Sequence, residues 1–266
     1  MKTSLQSGLA CLVAGFTLNS IAAPVAPMHG AMELPISRQL ACYNAGDFNW
    51  PTDGSGIKSP GCKAAYQHVY KKYGEDAQQA VYQFNQWHEV SKNVKDYKDM
   101  DEVKKAIPDG QLCSAGNDPD QSTTGILASI RDLLGKLGWP WSGFKLLAND
   151  KSGLDVPADW EARTLTTYAD GKVKMRYKIQ AVHNPSYWEI YVSKPGYDPK
   201  ERALKWDDLV LVDEIGDVPP VNGYYELDVD LKGNEGRRVI YSRWQRVDPA
   251  GEGFYNCSDV NIVSSK

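Results

Sequence analysis

The sequence predicts a mainly β fold, an immunoglobulin- or fibronectin-like β-sandwich with a helical excursion between its early strands. The first observation is residues 173–179, where Val, Met, Tyr and Ile alternate with Lys and Arg as in a half-buried strand. The second is a series of further short strand-like segments separated by turn signals, a spacing typical of sandwiches. These strands are expected at 187–192, 209–212, 225–231, 239–244 and 254–263.

The third observation is that helical periodicity falls mostly between residues 60 and 150. Apolar positions recur at helical spacing over 61–73, which predicts one helix. A second short helix is predicted from Asp76 to about Trp87, and a third amphipathic segment runs from Ile126 to Leu137. Residues 29–60 are rich in Gly, Pro, Asn and Asp and are interpreted as loop.

The first 28 residues are typical of a secretory signal, so we expect an extracellular protein. The apolar core at Leu9–Phe16 is too short to span a bilayer. We expect a single domain over 29–266, because the remaining chain shows neither an internal repeat nor a low-complexity linker. The cleavage site stays open: a cut after Met28 would make His29 the first residue, whereas the usual preference for small residues favours Ala23.

The charge of the chain argues against two classes of partner. There are 30 Lys and Arg against 34 Asp and Glu, and removal of the leader would take away only Lys2. A chain of net negative charge has no electrostatic reason to bind nucleic acid or an anionic membrane, so we expect neither.

The cysteines predict disulfides rather than a metal or redox site. An even number remains after the leader, which in an exported chain implies two bridges with three possible pairings. No two of them form a C-x-x-C spacing, and a free catalytic thiol is not expected in an oxidising compartment. They are Cys42, Cys62, Cys113 and Cys257.

Only four histidines are present, so each one can be weighed. His68 lies in the first predicted helix and is interpreted as structural. His88 opens a His-Glu sequence that mimics a zinc-protease helix, but Lys92 occupies the place of the required second histidine. We therefore reject a metalloprotease. His183 follows the strand at 173–179, where a loop can carry function.

His29 and His183 together suggest a metal site if the leader ends at Met28. Two imidazoles and one α-amine offer three nitrogen donors, a set that favours Cu(II) over Zn(II). The α-amine has an ordinary pKa of about 8, so it loses its proton to a metal far more easily than a lysine does.

Short motifs distributed along the chain carry a family resemblance. The sequence resembles the bacterial lytic polysaccharide monooxygenases, first described as chitin-binding proteins, and the motifs occur in the order of that family. They are His29-Gly30 with Ser37-Arg38, PDGQLCSAG at 108–116, AVH at 181–183, YVSKPGY at 191–197, WQR at 244–246 and FYNCSDV at 254–260.

The resemblance implies one copper ion per chain. His29 would supply its amine and one ring nitrogen, and His183 a third nitrogen. Phe254 resembles the aromatic residue that stands on the copper axis in place of a ligand. Ala181 resembles the small residue that crowds the opposite axial position.

The resemblance also implies roles around the metal. Glu252 resembles a carboxylate that positions or protonates the oxygen species, with Arg246 as its charge partner. Tyr82 and Phe84 resemble an aromatic pair on the flat substrate face. The disulfides implied are Cys42 with Cys62 and Cys113 with Cys257.

The implied reaction is oxidative cleavage of a crystalline polysaccharide, with an external electron donor and O2 or H2O2 as co-substrate. We expect chitin as substrate, because secreted single-domain members often act on it, and a monomeric protein. Cellulose stays an alternative, as does a non-catalytic glycan-binding protein or adhesin. Residues 118–153 form a segment longer than in comparable members, which leaves the substrate surface open.

Overall fold

The computed structural model describes residues 29–119 and 147–265. Within these residues nine strands form two sheets, and the four α-helices all lie between the first and third strands. The strands, β1 to β9, are Gly30–Leu34, Ser91–Asn93, Arg163–Thr167, Lys172–Ile179, Ser186–Ser193, Leu209–Ile215, Tyr224–Asp230, Gly236–Arg246 and Glu252–Ser264. The helices, α1 to α4, are Arg38–Ala45, Pro60–Lys72, Ala77–Asn85 and Met100–Ala106.

The two sheets are unequal in size. The smaller has the antiparallel order β1–β4–β7. The larger has the antiparallel order β2–β9–β8–β5–β6, and β3 pairs in parallel with the later part of β9. Apolar side chains of both sheets meet in one buried cluster that includes Tyr177, Trp188, Trp244 and Phe254. The predicted β-sandwich with its early helical excursion is confirmed.

The sheets also differ in how many of their faces are buried. In β4, Val173, Met175 and Tyr177 are buried while the residues between them are more exposed, as the alternation predicts. In β8, the neighbours Ile240 and Tyr241 are both fully buried. Ile240 faces the sandwich core, whereas Tyr241 belongs to a second apolar cluster built with the helices. The larger sheet is therefore the middle layer of three.

The helices α2 and α3 begin close to where the sequence predicts. Ser59 Oγ accepts a hydrogen bond from Cys62 N–H at 3.4 Å at the start of α2, with a proline in the first turn. Asp76 caps α3 by accepting from two backbone N–H groups. The predicted amphipathic segment Ile126–Leu137 lies outside the described residues.

The prediction of a loop over 29–60 is wrong, because β1 and α1 lie within it. Strand β1 has only five residues, and its extended form follows from pairing with β4, beginning at Gly30 opposite Ile179. Helix α1 buries Leu40 and Cys42 against the rest of the protein. Both elements are fixed by tertiary contacts that local composition does not reveal. The short strands β2 and β3 and helix α4 were not predicted for the same reason.

One disulfide joins two helices, and the other joins the turn after α4 to the larger sheet. Cys42 of α1 bonds to Cys62 of α2, and Cys113 bonds to Cys257 of β9. These are the pairs that the family resemblance implied. Across 29–119 and 147–265, no helix is both long and apolar enough to cross a membrane.

Candidate metal centre

The pairing of β1 with β4 brings two distant parts of the chain together. The carbonyl oxygen of His29 accepts hydrogen bonds from the backbone N–H groups of Gln180 (2.8 Å) and Ala181 (3.3 Å), just past the end of β4. His183 follows two residues later, so its loop lies beside His29. Gly30 allows this close approach, because a Cβ there would collide with the Tyr177 ring and the main chain of β4.

Phe254, near the start of β9, lies between the two predicted metal-binding histidines. Its ring is fully buried and its centroid lies 5.6 Å from that of His29 and 6.2 Å from that of His183. Trp244 of β8 packs behind it at 5.0 Å. The structure thus brings together His29, His183 and Phe254, and Ala181 through its backbone bond to His29.

His183 is fastened to the sandwich core. Its backbone N–H donates to Tyr225 Oη at 3.0 Å, and Tyr225 in turn donates to Asn184 Oδ1 at 3.1 Å. The imidazole packs on Trp244 at 5.6 Å, and it stacks on Phe254 with an interplanar angle of 22°. Both the backbone and the ring of this histidine are therefore oriented by the core.

The ring of His29 is buried, and neither of its nitrogens has a hydrogen-bond partner among the described residues. Burial, together with the nearby charges of His88 and His183, lowers the pKa of His29 to about 4. The ring is therefore neutral at neutral pH, which is the form that binds metals. Two buried imidazole nitrogens without internal partners fit the nitrogen-rich donor set of a copper site.

His88 and Glu89 also reach this centre, which the sequence reasoning missed. The His88 ring lies 5.3 Å from the His29 ring, and the His88 carbonyl accepts from Gly30 N–H at 3.2 Å. One ligand atom from each of His29, His88 and Glu89 lies within 4.8 Å of the others. The signal was present, since the His-Glu pair directly follows the predicted second helix, but it was weighed only against a protease motif.

Glu252 and Arg246 form an ion pair at the edge of the centre. Arg246 Nη1 donates to Glu252 Oε2 at 2.6 Å, and Ser91 Oγ donates to the other carboxylate oxygen at 3.4 Å. A second acid, Asp248, lies 2.5 Å from the same guanidinium. Glu252 lies two residues before Phe254 along β9, so alternation places both side chains on the same face of the strand.

The predicted aromatic pair on the substrate face is corrected by the structure. Phe84 is fully buried and packs edge-on against Phe48 at 5.3 Å, on the same stripe of α3 as Ala80. Residues two apart on a helix point in nearly opposite directions, so Tyr82 and Phe84 cannot share one exposed face. Tyr82 is half-buried in the wall of an open groove beside Leu147, and its substrate role stays a prediction.

A fully buried lysine holds the segment that carries His88. Lys151 Nζ donates to the carbonyl oxygens of Gln83 (2.7 Å) and Gln86 (2.8 Å) at the carboxyl end of α3. Carbonyls at the end of a helix lack the next turn as a partner, so the lysine supplies a donor to Gln83 and a second donor to Gln86, whose carbonyl also accepts from Glu89 N–H at 3.0 Å. Burial lowers the pKa of Lys151 to about 7.

Known proteins are similar in sequence to this chain over much of its length. A profile of the family described as lytic polysaccharide mono-oxygenase, cellulose-degrading, matches residues 29–260. Spindolin of Heliothis armigera entomopoxvirus is 30% identical, covering 87% of this chain and 66% of that protein. Chitin-binding protein CbpD of Pseudomonas aeruginosa is 31% identical, and the match covers 88% of this chain and 47% of that protein. A lytic cellulose monooxygenase of Streptomyces ambofaciens is 31% identical, covering 58% and 35%. The chain spans less than two thirds of each of these relatives.

Solved structures share the fold as well. An entomopoxvirus fusolin, described for its enhancement of virulence and its crystallization into viral spindles, has a TM-score of 0.71 and 30% identity, covering 90% of this chain and 77% of that one. A lytic polysaccharide monooxygenase from Kitasatospora papulosa has a TM-score of 0.59 and 26% identity, covering 88% and 98%. Because the family profile matches nearly all of the described chain, the protein belongs to the lytic polysaccharide mono-oxygenase family.

Proposed function

We propose that this protein is a secreted, copper-dependent lytic polysaccharide monooxygenase that cleaves crystalline chitin oxidatively. The observation that carries the proposal is the arrangement of His29 and His183 around Phe254, with both ring nitrogens of His29 buried and unpartnered among the described residues. Such atoms cost free energy unless a ligand satisfies them.

The copper ion would be held by one ring nitrogen of His29 and by the imidazole of His183. Cleavage of the leader after Met28 would add the α-amine of His29 as a third nitrogen. Bound copper supplies one-electron chemistry, with an external reductant and O2 or H2O2 as co-substrates. We expect one ion per chain and a monomeric enzyme.

The surrounding side chains would shape the reaction. Phe254 presents an apolar, fully buried ring to both histidines, which excludes water and further ligands from that side. Arg246 and Ser91 hold the carboxylate of Glu252 in place, where it would accept or deliver a proton. Ala181 is small and half-buried beside His29, so it leaves little room for an additional ligand on its side.

A surface for the polysaccharide would begin near His29. Tyr43 on α1 is 40% exposed, and its ring packs on Trp87 at 5.8 Å. Trp87 contacts His88 at 5.3 Å, and His88 contacts His29 at the same distance. A row of ring contacts therefore connects the exposed Tyr43 to His29 through Trp87 and His88. We propose Tyr43, in addition to Tyr82, as a residue on which sugar rings stack.

The experiment begins with intact-mass analysis of the secreted protein, which should show a chain that starts at His29. Copper titration followed by electron paramagnetic resonance should then give one Cu(II) per chain. Incubation with crystalline chitin and ascorbate should release oxidised chito-oligosaccharides. A parallel incubation with cellulose tests the alternative substrate, which is favoured by the description of the family profile and by the Streptomyces relative.

A second candidate function is glycan binding without redox activity. The names of spindolin and of chitin-binding protein CbpD state no reaction, which favours this alternative. The same assay separates the two, since a pure binder would adsorb to chitin and release no oxidised products. Absence of tight copper binding would show that the protein is a glycan-binding protein and not a copper enzyme.

A further inference from the structure

A second cluster of metal-ligand atoms lies in the segment that follows α3, beside the proposed copper ligand His29. His88 and Glu89 each place a ligand atom within 4.8 Å of a His29 ligand atom. His88 Nδ1 is buried and, like both His29 ring nitrogens, has no hydrogen-bond partner in the described chain. Three buried imidazole nitrogens without partners in one place are an unusual cost for a folded protein.

Hydrogen bonds from neighbouring residues hold His88 and Glu89 in place. Asn149 Nδ2 donates to Glu89 Oε2 at 3.0 Å, and His88 Nε2 lies 3.7 Å from Glu89 Oε1. The backbone bond from Gly30 N–H to the His88 carbonyl fixes the distance between the two histidines. Supported ligands of this kind are typical of metal sites, where neighbouring groups orient the residues that bind.

We propose that His29, His88 and Glu89 form a second metal-ligand set, suited to Zn(II), that shares the His29 ring with the copper set. Two imidazoles and one carboxylate, with a fourth position left open, are a common ligand set for zinc. A tetrahedral zinc ion with bonds of about 2.0–2.2 Å needs ligand atoms about 3.5 Å apart. The ligand atoms of the cluster lie within 4.8 Å of one another, so zinc binding requires them to move closer together.

The two sets differ in what they require. The copper set needs the α-amine and His183, whereas the zinc set needs neither, because all three of its ligands are side chains. Zinc binding is therefore independent of leader cleavage, and zinc competes with copper for His29 once the amine is free. The inference goes beyond the proposed function, since the zinc set exists whether or not the copper set is catalytic.

The test measures Zn(II) affinity of the metal-free secreted protein by competition with a chromophoric chelator. His88→Gln and Glu89→Gln should each weaken zinc binding at least about 10-fold, the scale of loss typical even of groups behind the ligands. His183→Ala should leave zinc affinity unchanged. His68→Gln is the matched control, because that exposed histidine of α2 lies within hydrogen-bond distance of Ser152 Oγ and is outside the set. Thermal unfolding of each variant verifies the fold.

Zinc binding that is lost in His183→Ala and unchanged in both His88→Gln and Glu89→Gln would overturn the inference, as would wild-type protein that binds no zinc. A form that keeps Met28 before His29 should bind zinc normally and copper weakly. If copper affinity proves insensitive to His183→Ala while zinc still depends on His88, the proposed function fails and the zinc site stands.

Discussion

His183 and His29 face the same phenylalanine, but different parts of the molecule hold them. His183 is oriented by the sandwich core through Tyr225, Trp244 and Phe254. His29 is held by its backbone, between the loop after β4 on one side and the His88 segment on the other, while its ring nitrogens have no partner in the described chain. One ligand is thus fixed by packing, and the other is positioned by loops.

This difference explains how one residue can belong to two ligand sets. The His183 ring packs on Trp244 and Phe254, so its orientation is set before a metal binds. The nitrogens of the His29 ring have no hydrogen-bond partner in the described chain, so no existing bond has to be broken when either ligand set recruits them. Each prediction below perturbs one side of the centre and leaves the other as its reference.

The largest effect is expected from the disulfide that joins the segment after α4 to β9. Cys257 lies three residues after Phe254 on β9, and its bridge to Cys113 spans 144 residues. Replacing both cysteines by serine should lower the free energy of unfolding by on the order of 4–5 kcal/mol. Denaturant unfolding measures this loss. The matched control is the Cys42–Cys62 pair, whose 20-residue separation predicts about 3 kcal/mol. Equal losses for the two pairs would contradict the loop-length argument.

The next effect separates chemistry from metal binding. Glu252→Gln keeps the shape of the side chain but removes the charge that pairs with Arg246. We expect product formation on chitin to fall by about 100-fold, the lower range for loss of a proton-transfer group, with Cu(II) affinity unchanged. Asp248→Asn, which removes the other acid near Arg246, is the control and should have little effect. Parallel loss of copper binding would assign Glu252 to the metal site itself.

Replacing Lys151 should destabilise only the segment that carries His88, beside His29. Lys151→Met leaves the Gln83 carbonyl without this donor and the Gln86 carbonyl with only the Glu89 N–H, which should cost about 2 kcal/mol after the relief of a buried charge. Hydrogen exchange should then rise at 86–89 and stay unchanged in β7 and β8. Faster exchange throughout the sandwich would show that the lysine stabilises the whole fold.

The same lysine predicts a pH dependence with a defined sign. Its pKa is lowered from 10.5 to about 7 by burial, so between those values the unfolded state binds more protons than the folded state. The stability of the wild type relative to Lys151→Met should therefore increase as pH rises from 7 toward 10.5. Thermal unfolding of both proteins across this range measures the difference. A difference independent of pH would contradict the lowered pKa.

The smallest effect is expected on the His183 side. Tyr225→Phe removes the acceptor of the His183 N–H bond and should cost about 1 kcal/mol. Tyr241→Phe is a matched control, because the Tyr241 hydroxyl is buried without a partner in the described chain and its removal should cost almost nothing. The electron paramagnetic resonance spectrum of bound copper should shift in the first variant only.

The sequence predicted the sandwich well where one face of a strand meets water. The alternation in β4 is visible because its outer face is exposed, whereas β8 is buried on both faces and its buried positions include polar residues such as Ser242 and Arg243, so no alternation appears. The helix in which Phe84 lies was also predicted, but its inner and outer faces were not distinguished, so the buried Phe84 was placed on an exposed face.

The metal centre was predictable only in part. His29, His183 and Phe254 followed from family motifs, which carry information about distant contacts. His88 reaches His29 through the start of β1, a five-residue strand whose pairing depends on β4 and not on local pattern. No spacing rule links residues 29 and 88, so their proximity required the folded structure.

The central claim is that His29, as the first residue of the secreted chain, completes a copper site with His183. The most direct measurement compares copper binding by the protein that starts at His29 with binding by a form that retains Met28. The account predicts one tightly bound Cu(II), with nitrogen coupling in its electron paramagnetic resonance spectrum, for the first form and at least about 100-fold weaker binding for the second. Equal copper affinity in the two forms would contradict it.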